Sequence, residues 1–131
     1  GEMVVINKNG VESRKLAEQK QKFDIFEFIY FARYDSTILG KSVYEVRKNL
    51  GRILAQEHKL DVDMVIPVPD TAVPAAIGYA EESGIPFEMG ISKNHYINRT
   101  FIEPTQELRN EKVKMKLSPL ASVIKGKKIV N

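Results

Sequence analysis

The sequence predicts an α/β fold in which a mostly parallel sheet is flanked by helices. From residue 42 onward, stretches of helical length alternate with short apolar runs, and this order is typical of βαβ units. The composition agrees, since 43% hydrophobic and 28% charged residues are ordinary for a globular protein. A chain of 131 residues has room for one domain at most.

The first elements expected are a hairpin and a buried strand. Residues 3–6 form a short β run, and the Asn9-Gly10 pair that follows is a turn signal. Residues 23–32 are apolar or aromatic except for Asp24 and Glu27. Such a run predicts a strand that is buried on both faces.

Two helices have clear signals at their ends. Ser42 and Glu45 have the spacing of a capping box, and an apolar stripe at three- and four-residue steps extends this helix to about Glu57. The alanine-rich residues 71–83 predict a second helix, since Gly84 and then a proline follow them.

Four shorter elements complete the alternation of strands and helices. The apolar residues 64–69 predict a buried parallel strand, residues 85–91 and 126–131 predict further strands, and residues 105–116 predict a polar helix. No turn or polar tail follows the last strand, so we expect the chain to be a piece of a longer protein.

The composition excludes several classes of protein. The chain contains no cysteine, which rules out a disulfide scaffold, a thiolate nucleophile and a cysteine-ligated cluster, and fits a cytoplasmic location. No apolar run approaches the roughly 20 residues of a membrane span. A Walker loop and a dinucleotide-binding fingerprint are also absent from the sequence.

Positive charge is concentrated near the end of the sequence. The formal net charge is +3, but residues 93–131 contain nine basic and three acidic side chains. This excess suits a phosphate-rich ligand or a nucleic acid. For Lys112, Lys114 and Lys116, a solvated helix face is the alternative interpretation, because alternating lysines need no ligand in water.

The first candidate site is the junction between a buried strand and a helix at Asp70, Thr71 and Ala72. In an open α/β sheet, ligands bind beyond the carboxyl ends of the strands, and the N–H groups of a helix N-terminus favour an anion. The Thr71 hydroxyl can donate to a phosphate oxygen or contact a divalent metal. Alternatively, Asp70 or Thr71 only caps the helix.

The second candidate site is residues 93–104, which show no helical or strand periodicity and are therefore expected to form a loop. Lys93 and Arg99 can clamp phosphate groups there. His95 is a candidate acid or base, although a loop histidine without a carboxylate partner is more often a surface residue. His58, at the end of a helix, is expected to be structural.

Several strings, in order along nearly the whole chain, resemble the amidophosphoribosyltransferase family, the first committed enzymes of purine synthesis. They are FEFIYFAR with Asp35-Ser36, SVYE with Arg47, VIPVPD, GYAEESGIP, Lys93-Asn94 with Tyr96, RTFI and PTQ. In that family, a glutaminase domain releases ammonia from glutamine, and a phosphoribosyltransferase domain uses it to displace pyrophosphate from phosphoribosyl pyrophosphate.

The resemblance implies a partial type I phosphoribosyltransferase fold. Residues 1–36 would be a β-rich hood or linker segment, and residues 37–131 the first half of the phosphoribosyltransferase domain. The glutaminase cysteine would precede the chain, and the phosphoribosyl-binding motif with its two adjacent aspartates would begin near residues 129–131. The isolated chain is therefore expected to be inactive.

The resemblance also implies roles for individual residues. Asp70, Thr71 and Ala72 fall on the loop that faces the pyrophosphate, and Thr71 is at the position associated with the cofactor Mg²⁺. Lys93, Tyr96 and Arg99 fall on a segment, extending to Gln106, that closes over the substrate and excludes water.

The sequence departs from the family pattern at four places. His95-Tyr96-Ile97-Asn98 replaces the usual Arg-Tyr-Val-Gly, which removes one cation and a hinge glycine. Ala72 replaces a Gly or Ser, and Tyr34 replaces a common Pro. Asp24 replaces a cysteine that ligates an iron–sulfur cluster in some members, so no cluster is expected.

The expected partners are phosphoribosyl pyrophosphate and glutamine-derived ammonia in the full-length protein, with no nucleic acid and no membrane. A homo-oligomer is expected because unpaired strand edges favour self-association. One alternative is a catalytically dead phosphoribosyltransferase-like module that binds a nucleotide or nucleic acid through the basic C-terminal third. Another is a folded but inert fragment.

Overall fold

The computed structural model describes residues 1–97 and 99–131 and has a mixed α/β architecture with small sheets. The strands are β1 (Glu2–Asn7), β2 (Gly10–Lys15), β3 (Thr37–Ile38), β4 (Lys41–Ser42), β5 (Met64–Val65), β6 (Ile91–Lys93), β7 (Leu117–Pro119) and β8 (Ile129–Val130). The helices are α1 (Val43–Glu57), α2 (Val73–Ser83), α3 (Gln106–Lys116) and α4 (Ala121–Ile124), and Glu27–Phe31 forms a π-helix.

The centre of the fold is parallel, as expected, but its strands are shorter than the apolar runs. β5 pairs in parallel with β8, and Val65 forms a parallel bridge to Phe87 on its other side. Ile66 continues the pairing, since its N–H donates to the Val130 carbonyl at 2.9 Å. Val65 and Ile66 are buried.

The expectation of a mostly parallel sheet is wrong for the described residues as a whole. The pairs β1–β2, β3–β4 and β6–β7 are all antiparallel. β1–β2 and β3–β4 are each joined by a connection of two residues, which permits only antiparallel pairing because a parallel pair needs a crossover.

Helices α1 and α2 pack with their backbones in direct contact. A Cβ built on Gly51 would lie 1.9 Å from the Ala75 carbonyl oxygen, and one on Gly78 would lie 1.9 Å from that of Lys48. The predicted ends of both helices are confirmed: Ser42 accepts from the Glu45 N–H, and Gly84 ends α2 in the left-handed conformation.

Ion pairs on the solvent side connect the same two helices. Glu81 on α2 binds Lys48 at 2.7 Å and Arg52 at 2.8 Å, both on α1. Hydrogen bonds from Lys48 and then Arg52 lower the pKa of the Glu81 carboxyl. The carboxylate therefore stays ionised between two cations.

The strand predicted at residues 23–32 is wrong. Part of this run, Glu27–Phe31, forms the π-helix, in which only Phe28 is buried and Phe31 is 72% exposed. A run of apolar residues does not distinguish a buried strand from a helical turn, and here no neighbouring strand pairs with it.

Arg47 on α1 holds the π-helix in place. This residue is only 2% exposed, and its guanidinium donates to the carbonyl oxygens of Phe28 at 2.6 Å, Ala32 at 2.8 Å and Glu27 at 3.4 Å. Burial lowers the pKa of Arg47. A charged side chain therefore replaces the apolar packing that the sequence predicted.

Other local predictions are confirmed. The N-terminal hairpin pairs Glu2 with Lys15 through to Asn7 with Gly10, and helix α3 is capped by the Thr105 hydroxyl. Among the described residues, none of the helices is long and apolar enough to cross a membrane.

Candidate functional site

The loop between β5 and α2 brings the chain from the core to the surface. Ile66 and Pro67 are buried, Val68 is exposed, and Asp70, Thr71 and Ala72 are half-buried before α2 begins. The peptide bond between Pro69 and Asp70 is cis.

Neither polar side chain of this loop caps α2. The N-cap is Ala72, which makes no side-chain cap hydrogen bond, so the alternative reading of Asp70 or Thr71 as a helix cap is wrong. The N–H groups of Ala72 and Val73 donate within the loop at 3.4 Å and 3.3 Å. These contacts are long for hydrogen bonds, which leaves the amides able to turn toward an anion.

Lys93 reaches this loop from β6. Its ammonium lies 2.5 Å from the Asp70 carboxylate, and both side chains are partly buried. His95 Nδ1 is 4.0 Å from the same carboxylate oxygen. The two candidate segments, 23 residues apart at the ion pair, therefore lie side by side, as the sequence interpretation requires.

The Lys93 side chain borders two clefts of about 680 Å³ each. The first, here called the apolar cleft, is lined by Asp70, Thr71 and Ala72 and by apolar side chains that include Leu50 and Leu54 of α1. It thus combines a few polar groups with a mostly apolar lining, the usual character of a small-molecule site.

The second is the basic cleft, lined by Lys93, His95, Arg99, Lys112 and Lys116, with Glu103 as its acidic member. Glu103 forms an ion pair with Lys112. Lys93 comes from β6, the loop before α3 supplies His95, Arg99 and Glu103, and α3 supplies Lys112 and Lys116. The fold thus gathers four of the nine basic side chains of residues 93–131 into one concave surface.

The predicted site residues separate into three groups. Asp70, Thr71, Ala72 and Lys93 lie together in the apolar cleft, and Arg99 lies in the basic cleft beside Lys93. Tyr96 is 97% exposed and lines neither cleft. Asn98, named above as a departure from the family pattern, lies outside the described residues.

Sequence reasoning missed part of the basic cleft. Of the two interpretations of Lys112 and Lys116, a phosphate-binding surface and a solvated helix face, their position in the cleft favours the first. The sequence gives no separate signal for Glu103. The four-residue spacing of the two lysines was the available signal, because it places both on one side of α3. His95 is a surface residue, as expected of a loop histidine, and its Nδ1 lies 4.0 Å from an Asp70 carboxylate oxygen that the sequence does not reveal as a neighbour.

The described residues do not form a metal cage by themselves. Among residues 1–97 and 99–131, no three His, Cys, Asp or Glu side chains are grouped to hold an ion. The Thr71 hydroxyl and the already paired Asp70 carboxylate are the oxygen ligands available in this loop. Such a site fits Mg²⁺ only when most ligands come from phosphate and water.

Curated proteins similar to this chain are amidophosphoribosyltransferases. The amidophosphoribosyltransferase of Rhizobium etli is 52% identical over 121 residues, covering 92% of this chain and 24% of its own length. That of Bacillus subtilis is 48% identical over 131 residues, covering 99% of this chain and 28% of its own length. No family model matches the chain.

A solved structure agrees with the sequence comparisons. The glutamine phosphoribosylpyrophosphate amidotransferase of B. subtilis, complexed with ADP and GMP, superposes with a TM-score of 0.73 at 48% identity, over 98% of this chain and 29% of that chain. The resemblance carried by the sequence motifs is confirmed. The chain spans about a quarter of the length of the curated relatives that it matches.

Proposed function

We propose that the chain is a segment of an amidophosphoribosyltransferase, given its 46–52% identity to those enzymes over 92–99% of its length. It would supply part of a type I phosphoribosyltransferase domain from residue 37 onward, with residues 1–36 as a hood or linker segment. The complete protein would transfer glutamine-derived ammonia to phosphoribosyl pyrophosphate, giving 5-phosphoribosylamine and pyrophosphate in purine synthesis.

One observation carries the assignment of the site: the loop at Asp70–Ala72 meets Lys93 across the ion pair. A diphosphate placed here would face the amides before α2 on one side and an ammonium on the other. Arg99 and the lysines of the basic cleft would add positive potential around the same point.

The chemistry required of these residues is binding and orientation. The ammonia nitrogen forms a bond to the ribosyl carbon while the bond from that carbon to the pyrophosphate oxygen breaks, and pyrophosphate leaves with the electron pair. Lys93 and Arg99 would stabilise the charge that grows on the leaving group. The segment that includes them would also exclude water, which competes with ammonia for the same carbon.

Magnesium would enter as part of the substrate. Mg²⁺ carried by a diphosphate offsets negative charge on the leaving oxygen. Thr71 would provide one hydroxyl ligand from the loop, consistent with the absence of a carboxylate cage among the described residues.

The test is made in the complete enzyme that carries this segment, with ammonium replacing glutamine so that the glutaminase step is bypassed. Lys93→Met should raise the KM for phosphoribosyl pyrophosphate by roughly tenfold or more, because a hydrogen bond to a charged group is lost. Lys114→Met is the matched control, since Lys114 is exposed and lines neither cleft. Equal KM values for the two variants would contradict the site assignment.

The 131-residue chain alone is proposed to form no phosphoribosylamine, because the full set of catalytic groups belongs to the longer protein. Formation of this product by the isolated chain would contradict the proposal.

The basic cleft favours one alternative, a phosphoribosyltransferase-like module that binds a nucleotide without catalysis. Two adjacent acidic residues following an apolar strand in the complete protein would support transfer, and their absence would support the module. Self-association also stays a proposal, and sedimentation velocity at high concentration tests it.

A further inference from the structure

We propose that the Asp70 carboxylate is an internal counter-ion that holds Lys93 in the unliganded protein and is displaced by the incoming diphosphate. Asp70 is then a positioning residue that acts through Lys93. The inference deepens the function proposed above and rests on it, because it assigns opposite roles to two residues of the same candidate site.

The geometry places Asp70 where a ligand oxygen would otherwise be. Its Oδ2 lies 2.5 Å from the Lys93 ammonium and 4.0 Å from His95 Nδ1. One carboxylate oxygen therefore faces two nitrogen-bearing side chains from the same short segment. A phosphate oxygen bound by these side chains would compete for the same position.

The sign of the charge opposes direct contact between the Asp70 carboxylate and the oxygens of a diphosphate. A carboxylate repels a diphosphate at contact distance, whereas the backbone amides of the same loop attract one. Asp70 therefore contributes to anion binding through its position in the loop, and its side chain opposes binding until Lys93 leaves it.

A second carboxylate, in the basic cleft, is also paired with a lysine. Glu103 forms an ion pair with Lys112 and is itself fixed by Arg109, which donates to its carbonyl oxygen at 2.7 Å. Two cations of the cleft, Lys93 and Lys112, are thus paired with carboxylates from different segments. The pairing keeps concentrated positive charge in place without a bound anion.

Exchange of partners is feasible because the pair is only partly buried. The Lys93 side chain is 25% exposed, so its ammonium can turn from Asp70 to a phosphate oxygen without crossing a packed core. Breaking the ion pair opposes ligand binding, so the unliganded protein binds more weakly than a protein whose Lys93 is already available.

The experiment compares three single substitutions by titrating inorganic pyrophosphate into the 131-residue chain and measuring heat. Asp70→Asn should tighten binding by roughly two- to fivefold, the range expected for a partly exposed ion pair. Asp70→Glu should restore binding close to that of the unmodified chain. Asp61→Asn is the matched control, because it removes one exposed carboxylate that pairs with Lys128 outside both clefts.

A second measurement does not depend on the ligand. Amide hydrogen exchange of residues 91–97 should be faster in Asp70→Asn than in the unmodified chain and unchanged in Asp61→Asn, because Asp70 ties this segment to the loop. Circular dichroism of each variant establishes that it is folded.

Each outcome either supports or overturns the counter-ion role of Asp70. Folded Asp70→Asn that binds pyrophosphate no better than the Asp61→Asn control overturns the inference, as does unchanged exchange at residues 91–97. If neither the unmodified chain nor any variant binds pyrophosphate, displacement of Asp70 by a diphosphate is overturned for this chain. The proposed function is judged separately, by the Lys93→Met test in the complete enzyme.

Discussion

The helix pair α1–α2 and the N-terminal residues 1–36 are stabilised in different ways. The helices have backbone contact at Gly51 and Gly78 and fix Tyr79, whose hydroxyl donates to the His58 carbonyl. The N-terminal hairpin is exposed on both faces along nearly its whole length. The π-helix that follows is tied to α1 by Arg47.

The comparison shows that apolar content does not determine where stability comes from. Residues 23–32 are among the most apolar in the sequence, yet only Phe28 in the π-helix is buried, and Arg47 donates hydrogen bonds to three carbonyl oxygens of this segment. In the helix pair, by contrast, two residues without side chains allow the closest contact. Close backbone packing therefore holds α1 against α2, and hydrogen bonds hold the π-helix against α1.

The largest expected effect concerns the helix contact. Gly78→Ala should destabilise the chain by about 3 kcal/mol or more, because its Cβ would overlap the Lys48 carbonyl, which cannot rotate away. Urea denaturation followed by circular dichroism measures the loss. Gly84→Ala is the graded control, since its Cβ meets open space and only its positive φ costs roughly 1 kcal/mol. Equal losses for both variants would refute close helix contact.

An intermediate loss of stability is expected when Arg47, which links the π-helix to α1, is replaced. Arg47→Met should cost about 2 kcal/mol, because the buried carbonyl oxygens of the π-helix lose a charged donor. Amide exchange at residues 27–32 should rise. Arg52→Met is the control, since it breaks only a partly exposed ion pair worth at most about 1 kcal/mol. If residues 27–32 exchange no faster, Arg47 does not hold them.

The smallest change in the free energy of unfolding is expected for a substitution in the N-terminal hairpin. Ile6→Thr should change the free energy of unfolding by less than about 0.5 kcal/mol, because Ile6 is 77% exposed. Val65→Thr, in the buried parallel strand, should cost about 1–3 kcal/mol in the same urea experiment. A loss above about 1 kcal/mol for Ile6→Thr would mean that the hairpin packs against another surface, and the contrast between the regions would fail.

The candidate site was only partly predictable. The positions of Asp70, Thr71 and Lys93 followed from strand ends, small side chains and a loop rich in cations. The specific ion pair between Asp70 and Lys93 did not follow, because it joins residues 23 positions apart. Glu103 gave no signal, since a lone glutamate before a proline is ordinary in a loop. Tyr96 shares the loop with Lys93 yet points into solvent, and spacing along a loop does not determine which side chains converge.

The sequence by itself determined the local structure: the hairpin turn beside Gly10, the cap at Ser42 and the end of α2 at Gly84. These features depend on side chains and backbone within a few residues, so tertiary contacts do not alter them. Only the tertiary structure decided that residues 23–32 form no strand and that Asp70 faces Lys93. Burial and pairing between distant residues depend on which surfaces the whole fold brings together, and no local pattern contains that information.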